Sequence, residues 1–372
     1  QPCSSAASDV YKRQVYNTCH IRIVSVSTEK AEELMKEDRL KIALIGCGGI
    51  AKEHWKGIQR IATRVDVTAV VDTNQESLGA MAAATGAEPF SEIGLALERG
   101  DFDAVDIMLP HNLHESAALD CFKAHKHVLL EKPMAHDLPS AERILEASKK
   151  VGTVFMIAEQ AQYWPDILKA KELMDDGSIG ELISASGNFY DPVSVDSEAP
   201  PPWRYSLAAS GGGVTIDGGA HWIRPLRMMM GEIDEVIGVA GHHIPRMEGE
   251  SWSRMLLKFE SGTVGTLTCQ NVAHVAAPAD MFRITGTKGE LQITSGRDGQ
   301  LIIYNDKNPR GQVVMNAVTG KINSYGEEIK DFCEVVLDGK TMAATPEFSL
   351  GELRTALALY KSVKSGRWEK VW

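Results

Sequence analysis

Several features that would each have decided a class are missing from this chain. Its six cysteines (Cys3, Cys19, Cys47, Cys121, Cys269, Cys333) are scattered without a CxxC pair, so neither a disulfide framework nor a cysteine zinc site is encoded, and reduced thiols in a cytoplasmic setting are expected. No apolar run approaches the roughly 18 to 20 residues that span a bilayer, which predicts a soluble chain with no membrane partner. Lys and Arg nowhere cluster, and the formal net charge is -11. Polyanions demand concentrated positive charge, so nucleic acid is not an expected partner. Internal repeats and low-complexity tracts are absent too, which removes solenoids and arrays from consideration.

What is present is a chain of 372 residues, 44% of them hydrophobic, long enough to bury a large core and to divide into two domains. Residues 1–38 are set apart as an artefactual or disordered extension. Ser4 to Gln14 resembles translated adapter sequence, Lys12-Arg13 is followed by no apolar stretch of signal-peptide length, and Met35 would serve as a start.

From Leu40 short β-rich runs alternate with helical segments, the pattern of a doubly wound parallel sheet. Strands are expected at Lys41–Ile45, Asp66–Val71, Ala104–Met108, His127–Leu130 and Thr153–Ile157. Helices fall between them, to about Ile61, over Gln75–Ala84, near His114–Ala124 and over Leu138–Lys150. The fold class is thus α/β, with a Rossmann domain over 39–160. Over 161–372 the rhythm changes to α+β with a large, mostly antiparallel open sheet. Strands are expected at Glu235–Ala240, Arg254–Glu260, Thr263–Gln270, Asp280–Thr285, Glu290–Thr294 and Leu301–Tyr304, broken by turns such as Ser261-Gly262 and Lys288-Gly289. Helices near Tyr325–Leu337 and Ser349–Ser365 close the chain and pack back near the first domain.

Gly46-Cys47-Gly48-Gly49-Ile50-Ala51 follows an apolar strand and opens a helix. Such a loop brings backbone N–H groups to a pyrophosphate at a helix N-terminus, with Ala51 in the third glycine's place. Asp72 ends the second strand, where its carboxylate can accept from both ribose hydroxyls and would repel a 2′-phosphate; NAD is therefore expected ahead of NADP. Pro110, Asn112 and His114 lie at the carboxyl edge of the sheet and should border the cofactor, although Asn112 and His114 also suit helix capping.

Glu131-Lys132-Pro133 follows the apolar run Val128-Leu129-Leu130, placing an ammonium near the expected nicotinamide, where burial and a cationic ring would lower its pKa. A glycine run from Gly211 leads into a helix expected to carry Asp217 and His221 at i and i+4, on one face. Histidine can take the proton of an alcohol as it becomes a ketone, with a carboxylate one turn away orienting it. No third ligand stands at a recognisable spacing, so no metal is expected.

With the Trp203-Arg204 pair ahead of the glycine run, this set resembles the glucose-fructose oxidoreductase, inositol dehydrogenase and rhizopine catabolism family, Gfo/Idh/MocA, from about Leu40 to Trp372. The resemblance implies that Lys132 and His221 handle the substrate hydroxyl and its proton, that Asp217 supports them, and that hydride passes between a sugar carbon and nicotinamide. It implies homo-oligomers, dimers or tetramers, assembled through the open face of the second sheet. Substrates of such enzymes are sugars, inositols and glycosides. Gln160, Tyr163, Trp164, Trp203, Arg204 and Trp222, with Lys132, Asp217 and His221, are the candidate substrate contacts; the aromatic ones equally suit a core. The alternative activity is an NAD-dependent glycosidase working by transient oxidation, elimination and re-reduction. A non-catalytic nucleotide sensor would need the glycine turn but not the proton-handling residues.

Overall fold

A computed structural model describes residues 38–193, 200–294, 299–316 and 321–372. The expected N-terminal extension lies, but for Asp38, outside the described residues.

Six strands form a parallel sheet: β1 (Leu40–Ile45), β2 (Val65–Val71), β3 (Glu88–Phe90), β4 (Ala104–Ile107), β5 (His127–Glu131) and β6 (Phe155–Ala158), in the spatial order 3-2-1-4-5-6. β1 and β4 are buried almost throughout, as strands covered on both faces must be. The connecting helices are α1 (Gly49–Arg60), α2 (Gln75–Thr85), α3 (Ile93–Arg99), α4 (His114–Lys123) and α5 (Leu138–Ser148). The strand order reverses between β1 and β4, so the carboxyl ends of those strands open a crevice, where ligands of such sheets bind. β3 and α3 had no counterpart in the sequence reading. β3 has three residues, one of them Pro89, and pairs only with β2, while α3 spans two turns, too few for a periodic signal.

After α6 (Pro165–Asp175) comes β7 (Leu182–Val193), the segment read from sequence only as extended. It lies at the middle of a nine-stranded sheet with β8 (Ile233–Gly241), β9 (Trp252–Phe259), β10 (Val264–Ala273), β11 (Asp280–Gly286), β12 (Gly289–Thr294), β13 (Gln300–Asn305), β14 (Asn308–Asn316) and β15 (Glu369–Lys370), ordered 14-13-12-11-7-10-9-8-15. Among the described residues of this sheet, only the β7–β10 pairing is parallel. Burial alternates along β9 and β10, as it does when one face packs and the other is open.

Between the sheets run α7 (Leu207–Ser210), α8 (Ala220–Met230), α9 (Lys321–Asp338) and α10 (Leu350–Ser365). α9 returns to the Rossmann sheet, where Ile329, Phe332 and Cys333 join its core. It crosses α1 so closely that a Cβ at Gly57 would lie 2.6 Å from the Gly326 nitrogen. α10 straddles the seam: Leu350, Leu353 and Ala356 pack into the first domain's core, Ala358 and Leu359 into the second's. Among the described residues no helix is long and apolar enough to cross a membrane.

One charge sits badly in this packing. Asp166, in the first turn of α6, is buried, and neither carboxylate oxygen finds a hydrogen-bond partner among the described residues. Burial pushes it up to about 6. The folded chain thus keeps this proton to about pH 6 while the unfolded chain loses it near 3.8, and folding is penalised progressively between those values and fully above them. Asp166→Asn should therefore raise the Tm at pH 8, by up to roughly 3 kcal/mol of stability, and leave it unchanged at pH 4. Thermal denaturation at the two pH values is the check, and an equal shift at both would contradict it.

Candidate active site

A cavity of about 410 Å³ opens at the carboxyl edge of the parallel sheet, within the usual range for small-ligand sites. Gly48, Gly49, Ile50 and Glu53 line it from the first loop and α1; Met108, Leu109 and His111 from the end of β4; Glu131 and Lys132 from β5; Trp203, Arg204, Asp217, Gly218 and His221 from the second domain; Tyr325 from α9.

The glycine turn suits a dinucleotide. Gly46 has φ +94°, and a Cβ there would lie 2.5 Å from the Met108 carbonyl oxygen, so no side chain fits. Beside Gly48 and Gly49 there is open space, and the α1 N-terminus carries no side-chain cap, leaving N–H groups for an anion. Ala51, by contrast, is buried in the core. Asp72 accepts from the Cys47 N–H and the Asn74 N–H, both at 2.7 Å, which fixes its carboxylate against the turn. In the next loop it is His111, not Asn112 or Pro110, that lines the cavity. Asn112 is exposed and Pro110 half-buried, and His114 is buried with its ring nitrogens against the Leu109 and Pro133 carbonyls at 2.9 and 3.0 Å. His114 is a strut beneath the loop.

Lys132 donates from Nζ to Asp217 Oδ1 and to the Asp217 carbonyl, both at 2.9 Å. Arg204 Nε stands 3.1 Å from the other carboxylate oxygen, and its guanidinium lies over the Trp203 ring at 4.4 Å. Burial alone would raise the Asp217 pKa, but Lys132 and Arg204 hold it well below the carboxylate range. Burial pushes His111 down to about 3 against the pull of Asp217. It is therefore neutral, donating from Nδ1 to the Ser210 carbonyl at 2.9 Å, with Trp203 edge-on at 4.7 Å.

Asp217 does not share a helix with His221. It occupies a turn three residues ahead of α8, whose second residue is His221. The partner of His221 is Glu159, at the end of β6: its Oε1 lies 2.6 Å from His221 Nδ1. Burial would raise Glu159, yet His221, Arg224 and Lys132 bring it down to about 2. An ionised carboxylate only accepts, so Nδ1 carries the proton and Nε2 is the free, basic nitrogen. Sequence reading passed over Glu159, although an acid directly after an apolar strand at the ligand edge was a signal. It passed over His111, which stands between Pro110 and Asn112, and over Glu53 and Tyr325, which topology alone brings near.

The other candidate contacts lie elsewhere. Trp164 is fully buried and donates to Gln160 Oε1 at 2.6 Å, and Gln160 is buried beside it. Tyr163 donates to Asp331. Trp222 packs among Trp164, Phe189 and Phe282 in the second domain's core. Only Trp203 of these aromatics borders the cavity. Arg224 is buried against Glu352 and Ser349.

Residues 40–159 match the model of an oxidoreductase family with an NAD-binding Rossmann fold, and residues 167–292 that of the GFO/IDH/MocA C-terminal domain. The chain belongs to the Gfo/Idh/MocA family. Its relatives within that family include a myo-inositol 2-dehydrogenase of Thermotoga maritima, 26% identical over 346 residues, which are 89% of this chain and 98% of that one. A levoglucosan dehydrogenase of Pseudarthrobacter phenanthrenivorans is 25% identical over 77% of this chain and 82% of its own. Among solved structures, levoglucosan dehydrogenase in complex with NADH shares the fold with a TM-score of 0.80 at 22% identity, over 90% of this chain and 99% of that one.

If Glu159 fixes the His221 tautomer, Glu159→Gln should lower kcat roughly 10- to 1000-fold with little change in dinucleotide affinity. Steady-state kinetics beside a binding titration will show whether it does.

Proposed function

We propose that this protein oxidises a secondary alcohol of a sugar, inositol or glycoside, with NAD as the hydride acceptor. The observation that carries the reading is the convergence of Lys132 from the Rossmann domain and His221 from the second domain on one cavity beside the glycine turn.

The dinucleotide, when bound, supplies the hydride-accepting ring. The chain supplies the rest. Lys132, held by Asp217, presents its ammonium to the substrate hydroxyl oxygen and holds the negative charge that grows there as the proton leaves. His221 accepts that proton at Nε2 while Glu159 stabilises the resulting imidazolium from Nδ1. Trp203 offers a flat apolar face and Arg204 a donor, a combination suited to a polyol ring. The cavity is walled by both domains, which limits water beside the reacting carbon.

Asp72 supports NAD over NADP: it is a carboxylate at the ribose end of β2, with no Lys or Arg from Thr73 to Leu78. Relatives named as dehydrogenases support net oxidation over a glycosidase cycle. For assembly, Val239, Leu256 and Val264 stand exposed on the open face of the nine-stranded sheet, a surface that would suit a second copy. Cys47, Cys121, Cys269 and Cys333 are free thiols, consistent with a reducing compartment such as the cytoplasm.

Sugars, inositols and glycosides screened together for NADH formation and aglycone release test the reading. Lys132→Ala and His221→Ala should each depress turnover roughly 10²- to 10⁴-fold while sparing NAD binding; full activity in both would reject the assignment. Asp72→Ser combined with Thr73→Arg should move the NAD-to-NADP preference in kcat/KM roughly 10- to 100-fold toward NADP. An unmoved preference would mean that Asp72 does not face the ribose.

A further inference from the structure

Beneath the cavity floor lies a group of buried polar residues that the proposed chemistry leaves unused. His54, on the inner face of α1, is fully buried. Its Nδ1 lies 2.7 Å from Asp106 Oδ2 on β4, and its Nε2 lies 3.0 Å from Glu131 Oε1 at the end of β5. Glu328 of α9 completes the ring, with Oε1 3.5 Å from His54 Nε2, and the Tyr325 ring stands 5.3 Å from the imidazole. The close α1–α9 crossing at Gly57 and Gly326 brings these groups together.

A neutral imidazole has one N–H and cannot donate to carboxylates on both sides; an imidazolium can. Burial would lower the His54 pKa, but Asp106 and Glu131, both within hydrogen-bond distance, raise it well above the usual histidine value. Both oxygens of Glu328 lack a hydrogen-bond partner among the described residues, and burial raises its pKa strongly, so it is held as the neutral acid. His54, Glu131 and Glu328 also have ligand atoms within 4.8 Å of one another, the spacing of a metal triad. Because His54 and Glu131 already satisfy each other at 3.0 Å, the arrangement is a proton-bridged one. Of the four groups, Glu131 is the one whose side chain reaches the cavity wall.

We propose that His54 is a positioning residue that holds the Glu131 carboxylate fixed in the cavity wall, so that the site favours the cationic, oxidised nicotinamide over the neutral, reduced one. The inference rests on the nicotinamide reading above. The charged and titratable groups that face His54 are Asp106 and Glu131 from the sheet, Glu328 and Tyr325 from α9, and Glu53 from α1 itself; Lys132 and His221 share the cavity with Glu131. Each variant is compared with the parent at the same pH.

The test is the ratio of the Kd for NAD to the Kd for NADH, measured by calorimetric titration of the full chain at pH 6 and pH 9, with no turnover involved. Glu131→Gln removes the charge and keeps the shape, so its ratio should exceed the parent's roughly tenfold at both pH values. His54→Gln strips Glu131 of its cationic donor, so the carboxylate is no longer held at the cavity wall. Its ratio should rise from the parent's toward that of Glu131→Gln. A merely structural histidine would weaken both cofactor forms alike and leave the ratio at the parent's. An unchanged ratio in Glu131→Gln overturns the inference even if His54→Gln does not fold. A parent-like ratio in His54→Gln at both pH values overturns the part given to His54. A parent that binds neither NAD nor NADH overturns the nicotinamide reading instead.

Discussion

The site depends on one bond across the seam: Lys132, at the end of a Rossmann strand, donates to Asp217, in a turn of the second domain. Two part-buried charges gain from meeting only if their geometry is good and their remaining valences are met. Here the ammonium finds a carboxylate and a carbonyl on one residue, while the carboxylate also faces Arg204. The turn around Asp217 is itself tightly determined. Gly213 donates to Glu250, and a Cβ on Gly213 would collide with the Glu250 backbone. Through this bond, two sheets with separate cores present a single wall to a ligand.

His221 repeats the logic in the opposite sense. Its ring belongs to the second domain and its carboxylate partner, Glu159, to the first. Glu159 is also the last residue before the short turn from Gln160 to Tyr163 that leads the chain out of the Rossmann sheet, so the chain crosses between domains at the point where the imidazole is oriented. α10 reinforces the same seam by contributing apolar side chains to both cores.

The parts of this arrangement legible in the sequence were local ones. Glycine spacing after an apolar strand, an acid ending the next strand, and lysine after Val128-Leu129-Leu130 each depend on a few neighbouring residues, and turn dipeptides framed most strands of the second sheet. Pairings were not legible. Asp217 and His221, four apart, looked like partners, yet each is matched with a residue from the other domain, 85 and 62 positions away. Sequence left Trp164 and Trp222 between pocket and core, because a large apolar side chain next to a site serves as well in the layer behind it, and both lie in that layer. β7 lacked a turn signal to frame it, since its neighbours in the sheet, β10 and β11, come from much later in the chain.

The Lys132–Asp217 and Glu159–His221 contacts run in opposite directions across the seam, since the first domain gives the donor of one and the acceptor of the other. Any opening of the crevice wide enough to break hydrogen bonds severs both together, leaving the lysine without its anchor and the imidazole free to swing. The ammonium and the imidazole therefore face one cavity only because each is tied to the opposite sheet, so the packing between the two cores sets the spacing of both groups at once.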